Sequence, residues 1–331
     1  MAERASPTDV TPGVSIVIPH YGDPAPTLDL LAQLADQAAP LDPATGDELP
    51  AQLIVSDDAS PDPFAQKEAT AYQALVVRRE RNGGFGAAVN SGVAEAVHDQ
   101  LLILNSDLQV GPTFLRDLVA AAAPWQPAVV GPAIRESGSA GPGERPAEVD
   151  YSGRHFPTAA HQVTEWLTPL AGWRAHRVLH EAVGHDTTAR LGVTRPVDWL
   201  VGAALLLPTD TFRAVGGFDE AYFMNSEEVD LQRVLRRHGI PAVYAGTVTV
   251  THTGAGSSDP TKRRAWVVQS RLRYAQKWGG RPARRRLQSA LAAATAVNLV
   301  WNTGRRLASR PVTPLATART EWQLLSGRTP R

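Results

Sequence analysis

The first 110 residues repeat one pattern. A short, almost wholly apolar run closes on a polar turn, and a stretch follows whose apolar positions recur every three or four residues. The apolar runs are Val14–Pro19, Ala51–Ser60, Ala74–Val77 and Gln100–Asp107, and each predicts a strand covered on both faces. Between them, Pro26–Gln37 carries Leu28, Leu31 and Leu34 at helical spacing. Asp62–Gln73 predicts a second helix, with Asp62 as N-cap and Pro63 at the first position, and Gly86–Val97 a third. Strands alternating with helices predict an α/β fold with a mostly parallel central sheet. Regularity lapses near Pro132, and 133–195 is rich in Gly, Pro, His and Trp. It returns at Val197–Pro208, as one strand or as two with a turn at Gly202. Glu227–Gly239 predicts a helix with Val229, Leu231, Val234 and Leu235 inward and Gly239 as its stop. "AVYAGTVTVTH" gives late strands, and from Asp259 onward the pattern is helical and basic.

Composition changes this picture in one respect. Apolar content of 43% and charged content of 20% are ordinary for a globular chain. The absence of cysteine excludes disulfides and thiolate metal sites. The polar start "MAERASPTDVTPG" lacks the basic flank and apolar run of a signal peptide. The formal net charge of zero hides a split: residues 1–260 hold 17 Lys/Arg against 32 Asp/Glu, and residues 261–331 hold 16 against 1. Such asymmetry points to a polyanionic partner for the tail: nucleic acid, an anionic membrane surface, or the acidic body of the same chain.

Ligands of parallel sheets bind beyond the C-terminal ends of the strands. Those ends carry His20 and Tyr21, Asp57 and Asp58, the loop "RNGGFGAAVNSG" at Arg81–Gly92, and Asn105-Ser106-Asp107. The Gly-rich loop is no dinucleotide fingerprint, because Val89 occupies the place of the third small residue. A single strand-end Asp is ordinarily a turn-former or helix cap. Acids at the ends of successive strands point to a ligand instead.

Taken in order, "SIVIPHYG", "LIVSDDASPD", "RNGGFGAAVNSG", "LLILNSD", "WLVGAALLLP", "VGGFDEAYFMNSEEVDLQRVLRRHG" and "VTHTGAGSS" resemble the family 2 glycosyltransferases of GT-A fold. Within that family they resemble the bacterial rhamnosyltransferases that build cell-envelope glycans. The resemblance covers about residues 14–280. It implies a flexible N-terminus (1–13), a catalytic domain (14–258) with a variable acceptor-side region (133–195, including Trp166 and Trp173), and a basic helical extension (259–331).

The resemblance also implies roles. Asp107 stands at the last acid of the D-x-D motif, which reads Asn105-Ser106-Asp107 here, and would bind Mn²⁺ or Mg²⁺ with His252 as second ligand. Hard divalent cations accept one or two carboxylates plus substrate phosphates, and an imidazole favours Mn²⁺. Asp57 matches the acid that accepts the pyrimidine N–H. Pro19 and Tyr21 lie beside base and ribose, Asn82, Gly84 and Asn90 on the nucleotide-side loop, and Ser106 within the metal motif. Of the pair Glu227-Glu228, Glu228 takes the catalytic base position. The alternative is that both acids only complement the helix dipole. Asp219 reads as structural.

The expected activity is inverting, metal-dependent transfer of a sugar, with rhamnose the one the resemblance points to. The donor would be a dTDP- or UDP-sugar and the acceptor a hydroxyl of a glycan or polyprenyl-diphosphate-linked glycan. Two rivals are a non-catalytic sugar-nucleotide or glycan binder on the same scaffold, and a nucleic-acid binder using Trp266, Tyr274, Trp278 and Trp301 among the tail arginines. Loss of the base or metal acid would favour the first, but both acids are present. No nucleic-acid module matches the second, so no nucleic-acid partner is expected. In Arg284–Arg310, Leu287, Leu291, Ala294, Val297 and Trp301 share one helical face between arginine clusters. The central apolar stretch is too short to span a bilayer and suits a helix lying in the interface. The expected location is cytoplasmic, peripheral on the inner face of the membrane.

Overall fold

The computed structural model describes residues 10–136, 149–173, 176–254 and 260–327. Residues 1–9 of the expected flexible N-terminus, and 255–258 of the last motif, lie outside them. The chain divides into two compact units: residues up to Arg154 with Thr188–Ala221 and Glu228–Ser257, and His155–Thr187 with Tyr222–Glu227 and Ser258 onward. The stretch 155–187 therefore groups with the C-terminal helices.

The first unit is built on one sheet. Its strands are β1 (Thr11–His20), β2 (Ala51–Asp57), β3 (Leu75–Arg78), β4 (His98–Leu104), β5 (Leu108–Val110), β6 (Val129–Glu136), β7 (Val149–Asp150), β8 (Gly153–Arg154), β9 (Thr194–Val197), β10 (Trp199–Leu200), β11 (Ala204–Pro208) and β12 (Ala242–His252). The main path runs β3-β2-β1-β4-β11-β6-β12-β5, with β7 on β6 and β9 on β12, while β8 and β10 form a separate pair. The first four strands in this order are parallel. β11 enters antiparallel between β4 and β6, and β6 and β12 are again parallel.

Successive side chains of a strand point to opposite faces. Val14, Ile16 and Ile18 of β1 accordingly join one apolar cluster with Leu30 and Leu31 of the helix Ala25–Ala35. Val17 joins a second with Val89 and Val93 of the helix Phe85–Val93. This is why the strands read as unbroken apolar runs. Each fully buried aliphatic side chain contributes about 1.5–3 kcal/mol, so both faces hold the sheet in register.

Three local expectations change. The helix expected over Asp62–Gln73 shortens to Gln66–Thr70, and its N-cap is Ala65, not Asp62. Asp57 is the reason: its carboxylate accepts the N–H of Ser60 and of Phe64, fixing 60–64 as a turn. The run Gln100–Asp107 ends as a strand at Leu104. The chain then turns and pairs again as β5, antiparallel to the end of β12. The helix Phe114–Ala122, with Phe114, Leu115, Leu118 and Val119 buried, has the right periodicity and was missing from the sequence reading.

The second unit is helical: Ala159–Trp166, Arg177–Ala182, Pro260–Leu307 and Pro314–Leu325. The 48-residue helix kinks at Gly280, whose φ of 71° favours glycine, two residues before Pro282. Its core joins Ala265, Val268, Leu272, Leu287 and Leu291 to Leu324 and Leu325, with Val163 and Trp166 packed against it. This corrects the expected membrane face. Leu287, Leu291 and Ala294 are buried, and Asn298 donates to the Trp166 carbonyl and to Glu321. Val297 and Trp301 stay exposed, together with Val300, Leu307, Leu315 and Trp322. Among the described residues no helix is long and apolar enough to cross a membrane.

Candidate functional site

The rim of the first unit's sheet is built strand by strand. β1 and β2 run side by side to their ends, where His20 pairs in register with Asp57. His20 is buried, shares a 2.8 Å hydrogen bond between Nδ1 and Thr27 Oγ1 and meets Phe64 edge-on. Burial lowers its pKa against the opposing pull of the Asp57 charge. Pro19 is partly buried, and Tyr21 just beyond it is exposed.

Asp57 is fully buried. Burial alone would raise its pKa, but the bonds from Ser60, Phe64 and Arg78 outweigh it and hold the carboxyl below the ordinary range. The Asp57 carboxylate accepts the Ser60 and Phe64 N–H groups and the Arg78 guanidinium, and the Ser60 side chain adds a further hydrogen bond. The adjacent Asp58 has a different task, which sequence reasoning missed. It accepts the N–H of Gly83 at 2.9 and 3.1 Å and of Gly84 at 2.7 Å, and pairs with Arg79 at 2.8 Å. Asp58 thus sets the Gly-rich loop. The doubled acid in "SDDAS" was the available signal.

Gly84 has φ 86°, a value that strains other residues, and its N–H also reaches Asn82 Oδ1 at 3.1 Å. Asn82 thus helps to hold the turn of this loop. The amide of Asn90 is engaged elsewhere: its Nδ2 donates to the Phe218 carbonyl and its Oδ1 accepts the Phe218 N–H, both at 2.9 Å. Asn90 pins "GGFDE" to the helix. In the same segment Asp219 Oδ1 accepts the Ala221 N–H, as a turn residue does.

Beyond β4, Asn105-Ser106-Asp107 forms the turn into β5. Because β12 ends antiparallel to β5, with His252 in register with Leu108, the His252 ring reaches Asp107: Nε2 lies 3.1 Å from Oδ2. Thr253 fixes the backbone by donating its N–H and its hydroxyl to the Asp107 carbonyl. A divalent cation with ligand bonds of about 2.1 Å places adjacent octahedral ligands about 3 Å apart. The donor set of one carboxylate oxygen and one imidazole nitrogen, both partly exposed, fits such an ion and leaves positions for water or phosphate oxygens.

Glu228 is brought to the same rim. The Asn105 N–H donates to the Ala203 carbonyl, and next to Ala203 the missing side chain of Gly202 makes room for Glu228: a Cβ there would stand 3.1 Å from Glu228 Cβ. Gln232, which sequence reasoning missed, locks this arrangement. It accepts the Leu200 N–H at 2.8 Å and donates to the Leu200 carbonyl at 2.7 Å, fixing the helix Glu227–Arg237 to β10. Glu227 is buried and belongs to the second unit. Asn225 and Ser226 before it both have left-handed φ, 67° and 72°, a strained entry that costs about 1–3 kcal/mol per residue.

The model of the glycosyl transferase family 2 matches residues 15–173. The N-acetylglucosaminyl-diphospho-decaprenol L-rhamnosyltransferase of Mycobacterium tuberculosis is 31% identical over 284 residues, 78% of this chain and 81% of that protein. This chain belongs to glycosyl transferase family 2. The rhamnosyltransferase WbbL of Escherichia coli is 30% identical over 130 residues, 38% of this chain and 44% of that protein. Among solved structures, the mannosyltransferase PcManGT of Pyrobaculum calidifontis, in complex with GDP-Man and Mn²⁺, aligns with a TM-score of 0.51 at 17% identity, over 98% of this chain and 89% of that one. This family 2 transferase thus has the GT-A-like architecture, a mixed sheet between helical layers, plus a long C-terminal helix. Of the aromatics expected on the acceptor side, Trp166 instead packs within the second unit, its Nε1–H donating to Thr295. Trp173 is exposed.

Proposed function

We propose that this transferase moves a sugar, rhamnose in the reading favoured by the Mycobacterium tuberculosis relative, from a dTDP or UDP donor to a hydroxyl of a polyprenyl-diphosphate-linked or other cell-envelope glycan, with inversion. The observation that carries the reading is the approach of His252 Nε2 to 3.1 Å from Asp107 Oδ2 at the strand-end rim. Pro19, Tyr21, Asp57, Asn82 and Gly84 would flank the nucleotide. The loop held by Asp58 brings glycine backbone close to it, and Ser106 lies in the turn that carries Asp107.

A bound Mn²⁺ or Mg²⁺ held by Asp107 and His252 would act as a Lewis acid toward the departing diphosphate. Glu228 accepts the proton of the acceptor hydroxyl as that oxygen bonds to the anomeric carbon, on the face opposite the breaking bond to the nucleotide. General-base help of this kind typically contributes about 10²–10⁴-fold. Gln232 and Gly202 hold Glu228 in place for it.

The tail proposal moves to a new surface. The exposed apolar residues Val297, Val300, Trp301, Leu307, Leu315 and Trp322, with Arg305, Arg306, Arg310 and Arg319 among them in sequence, suit a peripheral contact with an anionic leaflet. Such a contact would place the enzyme on the cytoplasmic face, beside a lipid-linked acceptor. The test of the activity is a donor screen with Mn²⁺ present, reading release of dTDP, UDP or GDP. Release from dTDP-rhamnose or a UDP-sugar supports the reading, and release of none from any donor and acceptor tried overturns it.

A further inference from the structure

Five of the nine histidines fall between His155 and His185, a density that sugar transfer at Asp107, His252 and Glu228 does not use. Within this stretch His155, Glu181 and Asp186 each turn one ligand atom toward the others, all within 4.8 Å. His155 follows β8 directly, and its N–H donates to the Gly184 carbonyl at 2.8 Å. That bond brings His155 against the turn after the helix Arg177–Ala182. Its Nε2 lies 3.2 Å from Glu181 Oε2, while Asp186 is almost fully buried.

The Glu181 carboxylate is oriented from behind. Its Oε1 accepts the N–H of Thr187 at 2.9 Å and also the Thr187 hydroxyl. That hydroxyl in turn accepts from Arg177 Nε at 3.0 Å. One oxygen is held in place and the other faces His155, which is how outer partners usually orient a metal-binding carboxylate.

We propose that His155, Glu181 and Asp186 form a second divalent-cation site, one that takes Zn²⁺. Zinc accepts His nitrogen and carboxylate oxygen at about 2.0–2.2 Å, so tetrahedral neighbours stand about 3.3–3.5 Å apart. The His155–Glu181 separation already has this scale. Three protein ligands leave the fourth position for water. A site with one imidazole and two carboxylates also differs from the Asp107–His252 pair, which offers one carboxylate and leaves more positions to substrate and solvent.

The segment also needs such a link. Residues 176–187 contribute nothing to the buried apolar cluster of their unit, and Val178 is 81% exposed. What it buries is polar: Asp186 and Thr187. A cation bridging His155, the short helix and the turn supplies the cohesion that apolar burial does not, and its binding free energy becomes folding free energy.

The test uses the full chain, stripped with a chelator and titrated with Zn²⁺ against a chromogenic competitor. Wild type and Asp107→Ala are expected to bind about one tight equivalent and to gain thermal stability from it. Glu181→Gln, nearly isosteric, and His155→Ala should lose that equivalent. Thr187→Val should weaken it about 10–100-fold while leaving the ligands in place. Three results would overturn the site: no tight equivalent in wild type, an equivalent retained in both Glu181→Gln and His155→Ala, or one lost only when the neighbouring pair His180 and His185 is replaced. Because Zn²⁺ stoichiometry is read without donor or acceptor, the result stands apart from the transfer activity.

Discussion

His252 Nε2 lies 3.1 Å from Asp107 Oδ2, although 145 positions separate the two in the chain. The short antiparallel pairing of β5 with the end of β12 causes it. Replacing Asp107 by Ala removes the only acid of the motif and should leave less than about a tenth of turnover at saturating Mn²⁺. His252→Ala should shift the Mn²⁺ titration to higher concentration. A metal titration unchanged in His252→Ala would make that histidine a packing residue.

Glu228→Gln keeps the shape of the side chain and removes its basicity. Donor binding should survive, measured as nucleotide-sugar affinity, and turnover should fall about 10²–10⁴-fold. Glu227→Gln should cost less turnover. A larger loss from Glu227→Gln would move the base by one residue.

This site was partly legible in the sequence. The strand-end acids, the Gly-rich loop and the NSD turn could be read because each follows an apolar run. The task of Asp58 could not, because its partners Gly83 and Gly84 meet it only once β2 and β3 lie side by side. Gln232 was hidden for the same reason: it is bonded to the β10 backbone 32 positions earlier. The scaffolding bond of Asn90 was hidden likewise, because a partner of its amide, Phe218, is 128 residues away. In the tail, periodicity found a real apolar face, but periodicity does not say whether protein or lipid covers it.

Asp58→Ala removes the acceptor of two loop N–H groups and the partner of Arg79, which is largely buried. Breaking a buried pair by removing one partner costs about 3–5 kcal/mol. Chemical denaturation should show a loss of that order. Where the variant still folds, KM for the donor should rise more than kcat falls, because the loop and not the base is disturbed.

His20 gives a pH dependence with a definite sign. Burial, partly opposed by Asp57, lowers its folded pKa below the ordinary 6.5. Between that lowered value and 6.5 the unfolded chain binds the extra proton and the folded chain does not. Stability therefore falls as pH drops through about 6.5 and continues to fall until the folded pKa is reached. Denaturation midpoints of wild type should decline across this window. His20→Gln, which cannot titrate, should show a shallower decline.

The membrane contact is best tested with point changes. Truncation near Gly280 would remove Leu287 and Leu291, which pack with Leu324 and Leu325, and would unfold the unit it was meant to shorten. Val300, Trp301 and Trp322 are 74%, 46% and 61% exposed, so changing them leaves that core intact. The triple variant Val300→Asp, Trp301→Ala, Trp322→Ala should keep its thermal unfolding midpoint and stop floating with anionic vesicles. The wild-type chain should float, and salt should release only part of it, since screening weakens the arginine contacts and leaves the apolar ones. Charge reversal at Arg305 and Arg306 should make flotation weaker, and what remains should depend less on salt. If wild type and the triple variant float alike, the exposed apolar surface is not the membrane contact.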